Sequence, residues 1–326
     1  MIERDVAILM PVVKPENYEL FTLRYEGLAD ELVQQDVTSF FTEGHASYQA
    51  DGHAFVDIFD VRREAVAGFA TASVVRDLTM PKDDDRPLYL DSEAPTLVHQ
   101  WTTNRLLADK SNLVRAISEV HPLTRVAQAA DIIGTLDEVP GDRVVVKPIT
   151  GERSKDVQVL TKKQAATATY KPGEYLVQEF INTDIGVAEL DVQGTHNIRM
   201  ISIGNTVVGA VARVGGTSRD ILKDDVYGKF IDVDTIPDSM HEIAIAVHGV
   251  LRTWPGRGEN VIAIDVMRGI NAAGNQVDVL CEVNRRPQRI SRRDALDGRN
   301  HDIIGLLRLG KLWDQHEAAL LARQIA

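Results

Sequence analysis

The sequence predicts a mixed α/β fold, with an N-terminal βαβ unit followed by a larger part built from strand pairs and amphipathic helices. Three observations carry that expectation. DVAILMPVV is a short continuous apolar run, a segment of helical periodicity follows it, and VTSFF comes next. Strand, helix, strand in that order gives a right-handed crossover between parallel strands. HNIRMISIGNTVVGAVARVGG alternates about an Ile-Gly-Asn-Thr turn, a hairpin signal. VIAIDVMRGINAAGNQVDVLCEVN gives a second strand pair, joined by a Gly- and Asn-rich turn.

In chain order, DVAILMPVV has the unbroken apolarity of a strand buried on both faces of a parallel sheet. Leu20, Leu23, Leu28 and Leu32 recur at helical spacing after it. VTSFF, AFVDIFDV and ATASVVRDL are further strand candidates. MPKDDDRPLYLDSEAP is a polar, Pro-containing break that divides the chain into domains at 1–98 and 99–326. TTNRLLADKSNLVRAISEV reads as one helix with a Thr N-cap, closed by the proline of HPLT. DRVVVKPI is a strand carrying Lys147, KKQAATATY a short helix, and GEYLVQEFI another strand. After the first hairpin, PDSMHEIAIAVHGVLRTW is a helix, the second strand pair follows, and DIIGLLRLGKLWDQHEAALLARQIA is a long amphipathic helix. There is no internal repeat and no low-complexity segment.

At 44% hydrophobic and 26% charged over 326 residues, the composition is that of a soluble globular protein. The net charge of -12 argues against nucleic-acid and anionic-membrane partners, which require a basic excess. No apolar run approaches a membrane span, and MIERDVAILM does not read as a secretory leader. Cys281 is the single cysteine, so no intrachain disulfide forms and a cytoplasmic location is expected. Homo-oligomerisation is left open.

The chemistry concentrates in the second strand pair. Period-two alternation puts Asp278, Leu280, Glu282 and Asn284 on one face, where Asp265 on the paired strand meets them. Two carboxylates and an amide are hard oxygen donors suited to Mg2+ or Mn2+. A lone acid there would ordinarily be a solvated sheet face, so the metal reading needs partners elsewhere. Lys147 ends an apolar strand before the polar loop PITGERSK, a place that suits either a phosphate-binding lysine or a lysine snorkelling to solvent. Gln178 and Glu179 close EYLVQEFI, where exposed backbone can read an adenine edge. Cys281 is expected on the face opposite Glu282, as a core residue. His121, His196 and His248 lack metal-ligand spacing and are expected to be satisfied or at the surface. No Ser/His/Asp arrangement stands out.

VVVKPITG, YLVQEFI, HNIRMISIGNTVVGAVAR, IDVM and LCEVNRRP, in this order, resemble the ATP-grasp superfamily, in particular its glutathione synthetase and RimK-type ligase branch. The resemblance covers the chain from near Trp101 onward and implies a two-lobed ATP-grasp domain behind an N-terminal pre-ATP-grasp α/β domain. It implies ATP and Mg2+ (or Mn2+) as cofactors. Lys147 would contact the α- and β-phosphates, with Lys110 as the earlier phosphate lysine and Arg105 competing for that alignment. Glu179 would take the adenine amino group, with Gln178 beside it and Phe180 and Ile181 as the hinge. Asn197 stands where the family has a ribose-binding acid, which leaves Glu189 and Asp191 as substitutes. Arg199 and Arg213 would face the transferred phosphate and acyl group, and Asp265, Glu282 and Asn284 would ligate the metals.

Two departures from the family pattern stand out. The phosphate-covering loop has only Gly151, so its closure would depend on Arg153 and Lys155. The segment after EVN is RRPQR, whose Arg285, Arg286 and Arg289, followed by Arg292 and Arg293, form a cationic patch. That patch is either a solvated basic loop or, through Arg286, a site for an acidic substrate. The implied activity is an ATP-dependent carboxylate-amine ligase that joins small-molecule or peptide substrates through an acylphosphate. The alternatives are a synapsin-like nucleotide-binding protein without turnover, or a related thiol ligase or kinase.

Overall fold

A computed structural model of the chain describes residues 6–11, 18–42, 48–49, 54–55, 58–59, 74–78, 96–98, 101–151, 156–215, 227–254, 260–284 and 302–325. The first strand is β1 (Val6–Pro11), followed by α1 (Tyr18–Val33), β2 (Thr38–Thr42), β3 (Tyr48–Gln49), β4 (Ala54–Phe55), β5 (Ile58–Phe59), β6 (Val74–Leu78) and β7 (Thr96–Val98). They form a sheet in the order β5-β2-β1-β6-β7. β1, β2, β6 and β7 run parallel, as the apolar run and the crossover require, and β5 is an antiparallel edge. The expected strand AFVDIFDV is instead two short pieces: β4 pairs with β3, and β5 pairs with β2.

The expected single helix after the N-terminal region is two, α2 (Trp101–Ala108) and α3 (Lys110–Ala116). The break is at Asp109, whose carboxylate accepts from the Ser111 N–H at 2.8 Å and caps the second helix. An Asp side chain competing for backbone donors starts a new helix more readily than it continues an old one. Thr102 and Thr103 consequently lie inside the first helix rather than at its cap.

A four-stranded antiparallel sheet, β10-β9-β11-β8, follows from β8 (Thr124–Gln128), α4 (Ile132–Thr135), β9 (Arg143–Pro148), β10 (Gln158–Thr161), α5 (Lys162–Thr167) and β11 (Glu174–Glu179). Val144, Val146, Tyr175 and Val177 on one face pack with Ile132, Leu136 and Ala165. Thr161 and Gln164 form a reciprocal capping box that starts α5. A second antiparallel sheet has the order β14-β13-β12-β15-β16. Its elements are β12 (His196–Ile203), β13 (Thr206–Val214), β14 (Tyr227–Ile231), α6 (Asp238–Thr253), β15 (Val261–Ile270) and β16 (Gln276–Asn284), and α7 (Ile303–Ile325) closes the chain.

Alternation divides this sheet, with a bulge at Val208 that lets Val208 and Val211 share a face. Ile198, Met200, Ala212, Ile264 and Val266 join Met240, Ile243 and Val247 of α6 in one core. Ile201, Ile203, Val208, Val211, Val261 and Ala263 on the other face join Leu309, Trp313 and Leu321 of α7. That second core continues into Leu28 and Leu32 of α1, so α7 ties the parallel sheet to the antiparallel one. No helix among the described residues is long and apolar enough to cross a membrane.

Chain leaving β11 crosses onto β15. Asn182 and Ile270 exchange backbone hydrogen bonds at 2.9 and 2.8 Å. This approach requires Gly269, where a Cβ would lie 2.5 Å from both the Asn182 carbonyl oxygen and the Ile181 Cγ2. Gly269→Ala should therefore destabilise the protein by about 1–3 kcal/mol, the usual cost of overpacking. Thermal melting checks this, and an unchanged midpoint would show that the crossing is not tight.

Candidate functional site

Strands β13, β12, β15 and β16 lie side by side and carry polar residues on the face opposite the α6 core. In register, Asn197 faces Arg213, Arg199 faces Asp265, Asp265 faces Glu282, and Ala263 faces Asn284. Asp265 is only 3% exposed. Arg199 grips it through both carboxylate oxygens, Nε to Oδ1 and Nη2 to Oδ2, each at 2.7 Å. The Asn284 amide donates to the same Oδ2 at 3.0 Å, and the Asn197 amide does so at 3.4 Å. The sequence-predicted residues Asn197, Arg199, Arg213, Asp265, Glu282 and Asn284 thus meet in one cluster.

The expected strict alternation along β16 fails at Cys281. The ladder slips between Asp265 and Val266, so that Asp265 pairs with Glu282 while Val266 pairs with Leu280. An extra residue in one strand reverses which side later residues face. Leu280 and Val283 therefore both enter the α6 core. Asp278 shares that side and meets Arg268 at 2.7 Å through both oxygens. Glu282 lies on the other side with Asp265. Cys281 is half-buried beside this cluster rather than opposite it, and burial pushes its thiol up to about 11.

Charge in the cluster is unevenly matched. Burial opposes the Arg199 charge, but Asp265 outweighs it and holds the guanidinium above its ordinary range. Glu282 has no hydrogen-bond partner among the described residues; burial first, then Asp265, pushes its carboxyl above the ordinary glutamate range. Lys147, Lys110 and Arg199 pull the other way without overcoming this. Arg213 also lacks a partner among the described residues, and burial followed by the Arg199 charge lowers its proton affinity. The Asn197 amide oxygen is buried without a partner. A desolvated acid with no donor beside a second acid fits a divalent cation, and a desolvated arginine with no acid of its own fits an anion. Among the described residues no three His, Cys, Asp or Glu side chains group as a metal site, so the Asn284 amide oxygen would have to complete the set.

The four-stranded lobe faces this cluster. Lys147, 8% exposed, donates to the Cys281 carbonyl at 3.2 Å. Lys110 donates to the Gly151 carbonyl at 2.7 Å and acts electrostatically on Glu282, whereas Arg105 is exposed on α2. Gln178 is committed to Thr124, Nε2 to Oγ1 at 2.7 Å. The Glu179 carboxylate accepts from the Ala272 N–H at 2.8 Å in the β15–β16 turn, bracing the two lobes. Phe180 lies under the Arg143 guanidinium, 4.0 Å from the ring centroid, and Ile181 is buried at the Gly269 crossing.

The two substitutes for a ribose acid are engaged elsewhere. Glu189 binds Arg268 at 2.7 Å, and Asp191 binds Lys229 at 2.9 Å. Arg153, Lys155, Arg285, Arg286, Arg289, Arg292 and Arg293 lie outside the described residues. His121, His196 and His248 are buried rather than at the surface. His196 and His248 make ring hydrogen bonds, to the Gly194 carbonyl and Ser202 hydroxyl, and the His121 ring lies against the Leu280 backbone. Neither the bulge nor the buried His121 has a signal in single-sequence periodicity.

A family model for the RimK-like ATP-grasp domain matches residues 101–297. Among solved structures, a RimK domain ATP-grasp protein from Sphaerobacter thermophilus aligns at 18% identity over 97% of this chain and 99% of its own, with a TM-score of 0.56. D-alanyl-alanine synthetase A from Vibrio cholerae aligns at 10% identity over 98% and 99%, with a TM-score of 0.59. D-cycloserine synthetase DcsG aligns at 14% identity over the same shares, with a TM-score of 0.55. These likenesses show the fold. No curated protein matches the sequence.

The raised Glu282 carboxyl has a consequence for stability. A carboxylate whose folded pKa lies above its unfolded value costs stability once it ionises. The favourable state is complete below the ordinary 4.5 and is lost as pH rises through the higher folded value. Without divalent cation, Glu282→Gln should therefore melt higher than the native protein at neutral pH, and the gap should close below about pH 4. A constant or reversed gap in melting scans across pH would contradict the desolvated-acid account.

Proposed function

The chain belongs to the RimK-like ATP-grasp family, and we propose that it is an ATP- and Mg2+-dependent carboxylate-amine ligase working through an acylphosphate. The observation that carries this reading is the shared face of Asp265, Glu282, Arg199 and Arg213, with Lys147 and Lys110 acting on it from the other lobe. A carboxylate oxygen attacks the γ-phosphorus of ATP and ADP leaves. An amine nitrogen then attacks the acyl carbon, phosphate departs, the amine loses a proton, and an amide remains. Such chemistry demands positioning and charge neutralisation more than a covalent nucleophile. Cys281, with its thiol pushed up to about 11, is unsuited to be one.

Lys147 and Lys110 would hold the phosphates. Arg213, desolvated and without a hydrogen-bond partner among the described residues, would meet the transferred phosphoryl group. Arg199 would keep Asp265 ionised and placed, sharing its remaining donors with the acyl group. Asp265, Glu282 and the Asn284 amide would hold divalent cations, whose charge offsets the repulsion between the two acids and the triphosphate. The buried crossing at Ile181 and the Glu179–Ala272 bond support an adenine slot formed by hinge backbone rather than by the Glu179 carboxylate. Arg286 is proposed as a contact to an acidic substrate, on its charge and its place after Asn284 alone.

Two measurements test this assignment. Lys147→Ala should weaken ATP binding about 10-fold or more, since a charge-assisted hydrogen bond contributes about 1.5–3 kcal/mol; unchanged affinity by calorimetry would remove Lys147 from the site. ADP release across mixtures of amino acids and short peptides, with mass spectrometry of the products, should reveal a new amide. Glu282→Gln should then lower turnover by orders of magnitude. ATP consumption that yields a phosphorylated product or a thioester in place of an amide would overturn the ligase chemistry.

A further inference from the structure

Several contacts between the four-stranded lobe and the β15–β16 hairpin fall on one corner. Glu179, the last residue of β11, is 8% exposed, and its carboxylate accepts from the Ala272 N–H at 2.8 Å. Gly141, before β9, stands against the same turn: a Cβ there would lie 3.0 Å from the Ala272 Cβ. The Arg143 guanidinium covers Phe180, and just beyond it the Asn182 backbone pairs with Ile270. Glu179 pairs in the sheet with Val144, so this corner is the end of the lobe at which β9 begins.

Lys147 lies at the other end of β9, where it meets the Cys281 carbonyl at 3.2 Å. The strand from Gly141 to Lys147 spans about 20 Å, so a tilt of about 3° at the corner displaces Lys147 by about 1 Å. A displacement of that size is enough to spoil an aligned contact to a reacting group. Residues at the corner itself move little under the same tilt. A nucleotide with its base at the hinge and its phosphates at Lys147 would therefore feel the tilt at its phosphates.

We propose that Glu179 is a positioning residue: by gripping the β15–β16 turn at Ala272 it sets the angle of the four-stranded lobe, and through that angle it aims Lys147 at the phosphates of the nucleotide. This rests on the ATP-binding reading above and gives the Glu179 carboxylate no contact with the ligand. Glu179→Ala removes the acceptor, and Glu179→Gln keeps one. Ala272→Pro removes the donor instead. The Gly274 N–H donates to the Asn271 carbonyl at 2.9 Å, which puts Ala272 at the second position of a turn, where proline is tolerated. Spin labels on Lys163→Cys of α5 and Glu242→Cys of α6, both exposed positions, report the lobe angle without ligand. The native Cys281 thiol, pushed up to about 11, labels poorly.

Glu179→Ala and Ala272→Pro should each shift or broaden the label distances. Each should also weaken Mg-ATP about 3- to 10-fold by calorimetry, part of what loss of the Lys147 contact would do. Glu179→Gln should bring both readouts back toward native. If Glu179→Ala does not fold, Ala272→Pro decides in its place. Native label distances in the folded variants, native Mg-ATP affinity despite altered distances, or equal losses in Glu179→Gln and Glu179→Ala each overturn this proposal and leave the ATP reading standing. Native protein that binds no Mg-ATP overturns the nucleotide reading, and the label distances alone then decide whether Glu179 sets the lobe angle.

Discussion

Asp265 is a buried carboxylate on a central strand, and both of its oxygens are held by an arginine on the neighbouring strand. Breaking such a pair by removing one partner typically costs about 3–5 kcal/mol, because the remaining charge stays buried. Replacing the whole pair with apolar groups is often neutral, so the pair is weak evidence for stability and better evidence for a use. What it does here is fix the polar face of the sheet. Asn197, Asn284, Glu282 and Arg213 all take their positions by register from the strands that the pair joins.

The slip at Cys281 decides how many acids that face carries. Without it, one-for-one alternation from Glu282 would turn Leu280 and Asp278 onto the cluster face and take Leu280 out of the α6 core. With it, Leu280 and Val283 share a core while Glu282 joins Asp265. The result is an acid without a hydrogen-bond donor among the described residues, Glu282, near two desolvated cations, Arg213 and Lys147. A divalent cation and a triphosphate together match both imbalances. Protein side chains alone do not, since Glu282 and Arg213 remain unpaired among the described residues.

Much of this was legible in the sequence because it depends on local pattern. The parallel order of β1 and β2 followed from an unbroken apolar run before a helix, and both hairpins of the larger sheet followed from alternation around Gly and Asn. The residues of the cluster were legible as a set through family resemblance, and their meeting on one face is seen in the register. Other features depend on a partner that the local pattern does not name. The bulge exists only relative to β15, and the bonds of Glu179 to Ala272 and Gln178 to Thr124 join segments far apart in the chain. The break at Asp109 was readable in principle, since Asp-Lys-Ser is an ordinary cap, and helical periodicity on both sides concealed it.

The central claim is that the desolvated Glu282 beside Asp265 is completed by a divalent cation that arrives with nucleotide. Calorimetric titration of ATP into the native protein, with Mg2+ and then with excess chelator, tests it most directly. The account predicts binding with Mg2+ and a loss of at least ten-fold in affinity under chelation. Equal affinity in both conditions would contradict it, because Asp265 and Glu282 would then tolerate a triphosphate without a metal between them.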